Sequence, residues 1–355
     1  MTHLSIEHYD QMQEVALERV GNDVAWAFTP VTFGANGYPS AVRREGHLIR
    51  YADPMKEHLS RNLSRKDEFL RLYSLRTRFT PDEAKLILAI RERVASLCQD
   101  RFGRRIVPIN SSVCAMGLFR VLSAIGSCYP GLKRPLSVLE VGPGSGYLGS
   151  LLIEAGFRYA ATDATQAFYL WQNRLFAALA GESFVEQALV PIGGSPPVGQ
   201  VTHIPWWHFL TGVFTMPLDV DVVVCEQALC EMHAWAMRYT LQAARHVLRN
   251  SEVKAFVFSG HGHPQNSVED VERGFAEAGF KRLLGERVFC YVPTGHTVPA
   301  SLARLDKEIP LFNPGNASNL LAAPDFLKVT RDELPLDYEF RRIIGIWPAA
   351  DEFIK

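Results

Sequence analysis

The chain has 355 residues, 47% of them hydrophobic, with 37 Lys and Arg against 38 Asp and Glu for a formal net charge of −1. That is enough apolar material for a catalytic domain with an accessory part, and the near-neutral balance leaves no electrostatic footprint for DNA or RNA. No run is long and apolar enough to span a membrane, the polar start Met1-Thr-His-Leu-Ser-Ile-Glu-His8 does not read as a signal peptide, and the six cysteines form no C-x-x-C pair; a cytoplasmic protein without disulfides or bound metal is expected.

Residues 1–134 read as mostly helical. Thr80-Pro-Asp-Glu83 is a capping box with proline at the first helical position, and Leu86, Ile87, Ile90, Val94 and Leu97 then recur on one face. A second helix starts near Ser111 or Ser112 and carries Met116, Leu118, Phe119, Val121, Leu122 and Ile125 toward Gly126. The stretch 28–55 is rich in Gly, Pro and aromatics, as ordered lids and binding loops are. Pro130-Gly-Leu-Lys-Arg-Pro135 reads as the hinge into the next domain.

Ser137-Val-Leu-Glu-Val-Gly-Pro-Gly-Ser-Gly-Tyr-Leu-Gly149 is the most informative segment. Val138, Leu139 and Val141 are the apolar run of a central parallel strand, Gly142, Gly144 and Gly146 allow a tight turn with close backbone approach to a ligand, and a helix opens at Tyr147. Gly144-Ser-Gly-Tyr-Leu-Gly149 formally satisfies the dinucleotide fingerprint G-x-G-x-x-G. Against that reading, Glu140 stands two residues before the first glycine, where a carboxylate would repel a pyrophosphate and suits a cationic amino acid head group. The next strand, Tyr159-Ala-Ala-Thr-Asp163, ends in a carboxylate about 20 residues after the first glycine, where it can accept both hydroxyl protons of a ribose. Asp163 could instead cap the following helix.

Beyond it, a helix is expected over 165–180, a strand near 184–190, and an aromatic loop over 192–217 with Trp206, Trp207, His208 and Phe209. A strand over 220–225 leads to Glu226, Glu231 and His233. Helix 234–248, strand 253–260, helix 267–278 and strands 281–285 and 287–292 follow. Residues 293–355 form a proline-rich extension that packs on the core or contributes to a homodimer. His261-Gly-His263 reads as strand-end histidines rather than a metal clip.

The pattern Val-Leu-Glu-Val-Gly-Pro-Gly-Ser-Gly, with Asp163 and the polar end of the 220–225 strand, resembles the class I S-adenosylmethionine (SAM) methyltransferases. The resemblance covers about residues 135–292. It implies an α/β fold with a Rossmann-like sheet of seven strands whose last hairpin is antiparallel, a SAM-binding catalytic domain at 135–292, a helical lid or substrate domain at 1–134, and a small-molecule acceptor. Glu140, Gly142, Gly144, Gly146, Tyr147, Asp163, Gln166 and Glu226 would hold SAM. His233, just beyond a strand end and with a suitable ordinary pKa, is the first candidate base, with Glu231 and His261 beside it. Tyr147, Tyr169, Trp206 and Trp207 could present ring faces to the sulfonium. Leu229-Cys-Glu-Met232 with Trp206-Trp207 is similar to bacterial sugar O-methyltransferase-like proteins, whereas the overall layout resembles azetidine-2-carboxylate synthases. In those synthases the amine of SAM attacks its own γ-carbon and methylthioadenosine leaves. A SAM-fold binding protein without turnover is the reading from another class.

Overall fold

The computed structural model describes residues 4–21, 81–103, 111–260, 262, 265–285 and 288–305. The 28–55 loop, His261, His263 and the extension beyond residue 305 lie outside them. In chain order the elements are α1 (Ile6–Val20), α2 (Pro81–Phe102), α3 (Ser111–Ser127), β1 (Ser137–Val141), α4 (Tyr147–Glu154), β2 (Arg158–Asp163) and α5 (Gln166–Ala180). There follow β3 (Phe184–Glu186), β4 (Val201–Pro205), α6 (Trp206–Gly212), β5 (Val222–Glu226), α7 (Ala228–Glu231) and α8 (Ala234–Val247). The last are β6 (Ala255–Ser259), α9 (Val268–Glu277), β7 (Phe280–Leu284) and β8 (Val288–Pro293).

The strands form one sheet in the order β3-β4-β2-β1-β5-β6-β8-β7. All neighbours run parallel except β6 with β8 and β7 with β8. β1, buried along its whole length, lies between β2 and β5. The chain leaves β1 toward β2 on one side and returns to β5 on the other. The crevice at their carboxyl ends is therefore the topological switch point, where open sheets of this kind bind ligands.

Helices cover both faces. On one, Val138, Ala161, Val222 and Val257 pack with Ile90 and Val94 of α2, Met116 and Leu122 of α3, and Leu148 and Leu152 of α4. The periodicity read in residues 81–127 thus buries against the sheet, and Arg120 of α3 and Glu83 of α2 are joined by a bidentate ion pair at 2.5 and 2.6 Å. On the other face Leu139, Val141, Val223 and Phe256 meet Met237 and Leu241 of α8 and Phe275 of α9. α9 begins with a complete capping box between Ser267 and Asp270. A third cluster joins α1 to α5 and α6 through Tyr9, Tyr169 and Trp207.

The sheet has eight strands where seven are expected. The stretch 192–217, read above as an aromatic loop, contains β4 and α6, while the strand expected over 184–190 is only the three-residue edge strand β3. The sequence Val201-Thr-His-Ile-Pro carries polar residues on a fully buried strand, which breaks the apolar signature of an interior parallel strand. Thr202 and His203 are tolerated there because each has a local hydrogen-bond partner.

Candidate functional site

The glycine turn leaves β1 with three residues at positive φ: Gly142 at 74°, Gly144 at 56° and Gly146 at 77°. Gly146 caps α4 in the left-handed region and donates its N–H to the Pro143 carbonyl at 2.9 Å. A Cβ on Gly142 would lie 2.7 Å from the Ala228 methyl at the start of α7, whereas a Cβ on Gly144 would meet nothing within 4 Å among the described residues. The turn is thus wedged against the end of β5 at its first glycine and open at its second. Gly149 serves packing: a Cβ there would stand 2.4 Å from the Tyr159 hydroxyl, so its absence lets α4 lie close to β2.

That hydroxyl donates to Glu140 Oε2 at 2.6 Å. Burial, with Glu226 and Asp163 nearby as like charges, pushes the Glu140 carboxyl up to about 8 despite the Tyr159 bond. Asp163 is also buried, and burial raises its pKa although three donors oppose the shift. Its Oδ1 accepts the Thr165 N–H at 2.8 Å, and its Oδ2 accepts the Gln172 side-chain amide at 2.9 Å and the Gly144 N–H at 3.3 Å. Asp163 thus steadies the start of α5 and the glycine turn, and its Oδ1 retains a further lone pair. Glu226 and Asp163, at the ends of β5 and β2, both lie within electrostatic reach of Glu140 on β1.

β5 passes to α7 through Gln227, a non-glycine residue held at φ 60°, ψ −33°. Its N–H donates to the Ser259 carbonyl at 2.6 Å, and its side-chain amide reaches the Gly262 carbonyl at 3.1 Å. Strained backbone fixed in this way is a mark of functional turns. Glu231, at the end of α7, is partly buried, and that burial raises its carboxyl pKa. His233 is exposed and caps α8, its Nδ1 accepting the Trp235 N–H at 3.2 Å. In that tautomer Nε2 carries the proton, so His233 can take up a second one only by giving up the cap.

The N-terminal helix reaches the same edge. Gln166 donates to Asp10 at 2.6 Å, and Tyr9, fully buried, packs its ring against Tyr169 and Trp207 at 5.2 and 5.1 Å between centroids. The Tyr9 hydroxyl, the Trp207 indole N–H and the Thr165 hydroxyl are buried without a hydrogen-bond partner among the described residues. The aromatics read as sulfonium contacts are buried in packing: Tyr169 stacks on His203 at 3.8 Å and Trp207 packs on Tyr9 and Trp206. Tyr147 opens α4 and is 3% exposed. The reading of residues by segment missed Tyr9 and Asp10, which reach the site from far upstream. It also missed Gln172, Glu186 and His203, whose only local signal is polarity inside apolar elements.

The switch-point crevice, the glycine turn and the closing antiparallel hairpin give this chain a Rossmann-like α/β sheet. No family model and no curated protein matches the chain. Similar solved structures include magnesium protoporphyrin IX methyltransferase from Synechocystis PCC 6803 with bound SAM, at 16% identity over 61% of this chain and 100% of that one, TM-score 0.35. Another is 1,6-didemethyltoxoflavin-N1-methyltransferase from Burkholderia thailandensis, at 15% identity over 61% and 91%, TM-score 0.32. A third is CalS10, an amino pentose methyltransferase from Micromonospora echinaspora, at 12% identity over 51% and 95%, TM-score 0.33. At such distances the chemistry has to be read from this chain's own residues.

Proposed function

We propose that the chain is a SAM-dependent enzyme that transfers a methyl group to the oxygen or nitrogen of a small molecule, in secondary metabolism. The observation that carries the reading is the set of carboxylates at the switch point: Glu140, Asp163 and Glu226 lie within electrostatic reach of one another beside an open glycine turn. Carboxyls whose ionisation is opposed by burial and by one another gain from a ligand bearing an ammonium and a sulfonium, which favours their charged forms. The residues present fit SAM. Among the described residues the Gly144 side of the turn is unobstructed, Asp163 keeps a lone pair for a ribose hydroxyl, and the buried Tyr9 and Thr165 hydroxyls lack partners.

Bound SAM would supply an activated methyl carbon, so the protein's task is alignment, exclusion of water and removal of one proton. In this reading Gly142, Gly144 and Gly146 give the close backbone approach, Glu140 and Glu226 face the cationic end, Asp163 holds the ribose, and Gln166, tied to Asp10, fixes the neighbouring edge. Glu231 is the better placed base. Burial brings its carboxyl closer to working pH, whereas His233 spends its acceptor nitrogen on a helix cap. Residues 1–134 serve as the covering domain, a role that the contacts of Tyr9 and Asp10 support.

Asp163→Ala is expected to weaken binding of S-adenosylhomocysteine by about 1 to 3 kcal/mol in calorimetry; an unchanged affinity rejects the ribose assignment. The reaction itself is tested by incubating the protein with SAM alone and analysing the small molecules by mass spectrometry. Unaltered SAM is the expected result, with S-adenosylhomocysteine appearing once an acceptor is supplied. Methylthioadenosine together with a four-carbon cyclic amino acid would replace methyl transfer by cyclisation.

A further inference from the structure

Beneath the glycine turn a chain of buried polar side chains runs from Asp163 to the sheet edge. Gln172 of α5 donates its amide nitrogen to the Gly144 carbonyl at 2.7 Å and to Asp163 Oδ2 at 2.9 Å. The Gln172 carbonyl oxygen faces His203 Nε2 at 3.2 Å, and His203 Nδ1 faces Glu186 Oε2 at 2.8 Å. Glu186 and His203 are direct neighbours on β3 and β4, and His203 is fully buried.

The protons in this chain follow from its ends. The Gly144 carbonyl can only accept, so the nitrogen of the Gln172 amide must point toward it and its oxygen toward His203; Nε2 therefore carries a proton. At the other end Glu186 accepts from the Tyr169 hydroxyl, the Ala188 N–H at 2.7 Å and the Asn173 amide at 2.8 Å. Three donors on one carboxylate favour its ionised form, so the proton between Glu186 and Nδ1 belongs to the ring. The face of Tyr169 stacks on that ring at 3.8 Å, a favourable position for a cation.

We propose that His203 is a buried imidazolium and a positioning residue: paired with Glu186, it orients the Gln172 amide, which in turn aims Asp163 and the Gly144 carbonyl at the ligand. Its effect on the ligand rests on the role proposed for Asp163, whereas its two protons do not. A neutral ring at this place would leave either Glu186 without its fourth donor or the Gln172 oxygen facing a bare nitrogen. Either fault loosens the glycine turn from below. The ionisable groups around the ring are Glu186 on β3, Tyr169 on α5, Asp163 on β2, Tyr9 and Asp10 on α1, and His208 on α6.

The test uses the full chain labelled with nitrogen-15 at histidine, the His203 signals being assigned by their loss in His203→Gln. Both ring nitrogens are expected to carry protons at about pH 7, as the two hydrogen bonds of the ring require. A resonance from an unprotonated ring nitrogen at that pH overturns the imidazolium. Binding of S-adenosylhomocysteine supplies the second readout. His203→Gln and Gln172→Leu should each weaken it about tenfold, as expected when one buried polar partner is lost. In an Asp163→Ala background His203→Gln should add less than about twofold, because the two act through one carboxylate. Additive losses would make His203 a packing residue only. Unchanged affinity in Asp163→Ala would remove the ligand role of Asp163, and with it the aiming role of His203, while the spectrum still decides the charge.

Discussion

Gly144→Val should leave the protein folded and reduce its affinity for S-adenosylhomocysteine at least about a hundredfold, because a β-branched side chain at positive φ is both strained and projected into the crevice. The structure makes this a test of the ligand site rather than of stability. A Cβ at Gly144 meets no atom of the described residues within 4 Å, so the cost to that part of the fold is the backbone strain at φ 56°, about 1 to 3 kcal/mol. Gly142→Ala is the contrasting variant, since its Cβ would strike the Ala228 methyl at 2.7 Å and disturb the turn itself. Circular dichroism and calorimetry on the two variants separate the effects. Normal affinity in folded Gly144→Val would move the site away from the switch point.

Glu140→Gln is expected to stabilise the protein at alkaline pH and to weaken SAM binding at the same time. Glu140 is buried beside Glu226 and Asp163, which holds its carboxyl near 8, above the 4.5 of a free side chain. A carboxyl raised in the folded state favours folding below the unfolded value, and that advantage is lost as pH rises through the folded one. Stability is therefore lost progressively between about pH 4.5 and about pH 8, by on the order of 5 kcal/mol in all. Glutamine keeps an oxygen to accept from Tyr159 and carries no charge. Its melting temperature should exceed that of the parent by about 5 to 10 °C near pH 8.5 and by little near pH 5. Equal gains at both pH values would show that charge burial is not the cause. The ligand reads the same charge with opposite sign, since a cation beside Glu140 favours its ionised form.

Much of this was legible in the residues. β1, β5 and β6 announce themselves as apolar runs, α2 by its capping signal and periodicity, and the switch point by the glycines between β1 and α4. What escaped was polar and interior. Val201-Thr-His-Ile-Pro does not look like a core strand, because the partners that make His203 tolerable come from Glu186 on the adjacent strand and Gln172 on a helix. Tyr9 and Asp10 escaped for a related reason: their meaning depends on Tyr169, Trp207 and Gln166, more than a hundred residues away in sequence. His233 was a reasonable candidate base from its place after a strand, but the same place makes it the natural cap of α8.

The contact between Gly142 and Ala228 also bears on how such a chain can change over generations. The two positions belong to different loops, yet the space of one missing methyl is filled by the other. Shrinking residue 228 to glycine opens room at 142 without relieving its left-handed backbone, and enlarging 228 closes the turn from outside. The pair is therefore epistatic: drift at the segment entering α7 is licensed only by what stands in the glycine turn, so the loop that would meet the acceptor cannot diversify at its first residue independently of the loop that would meet the donor.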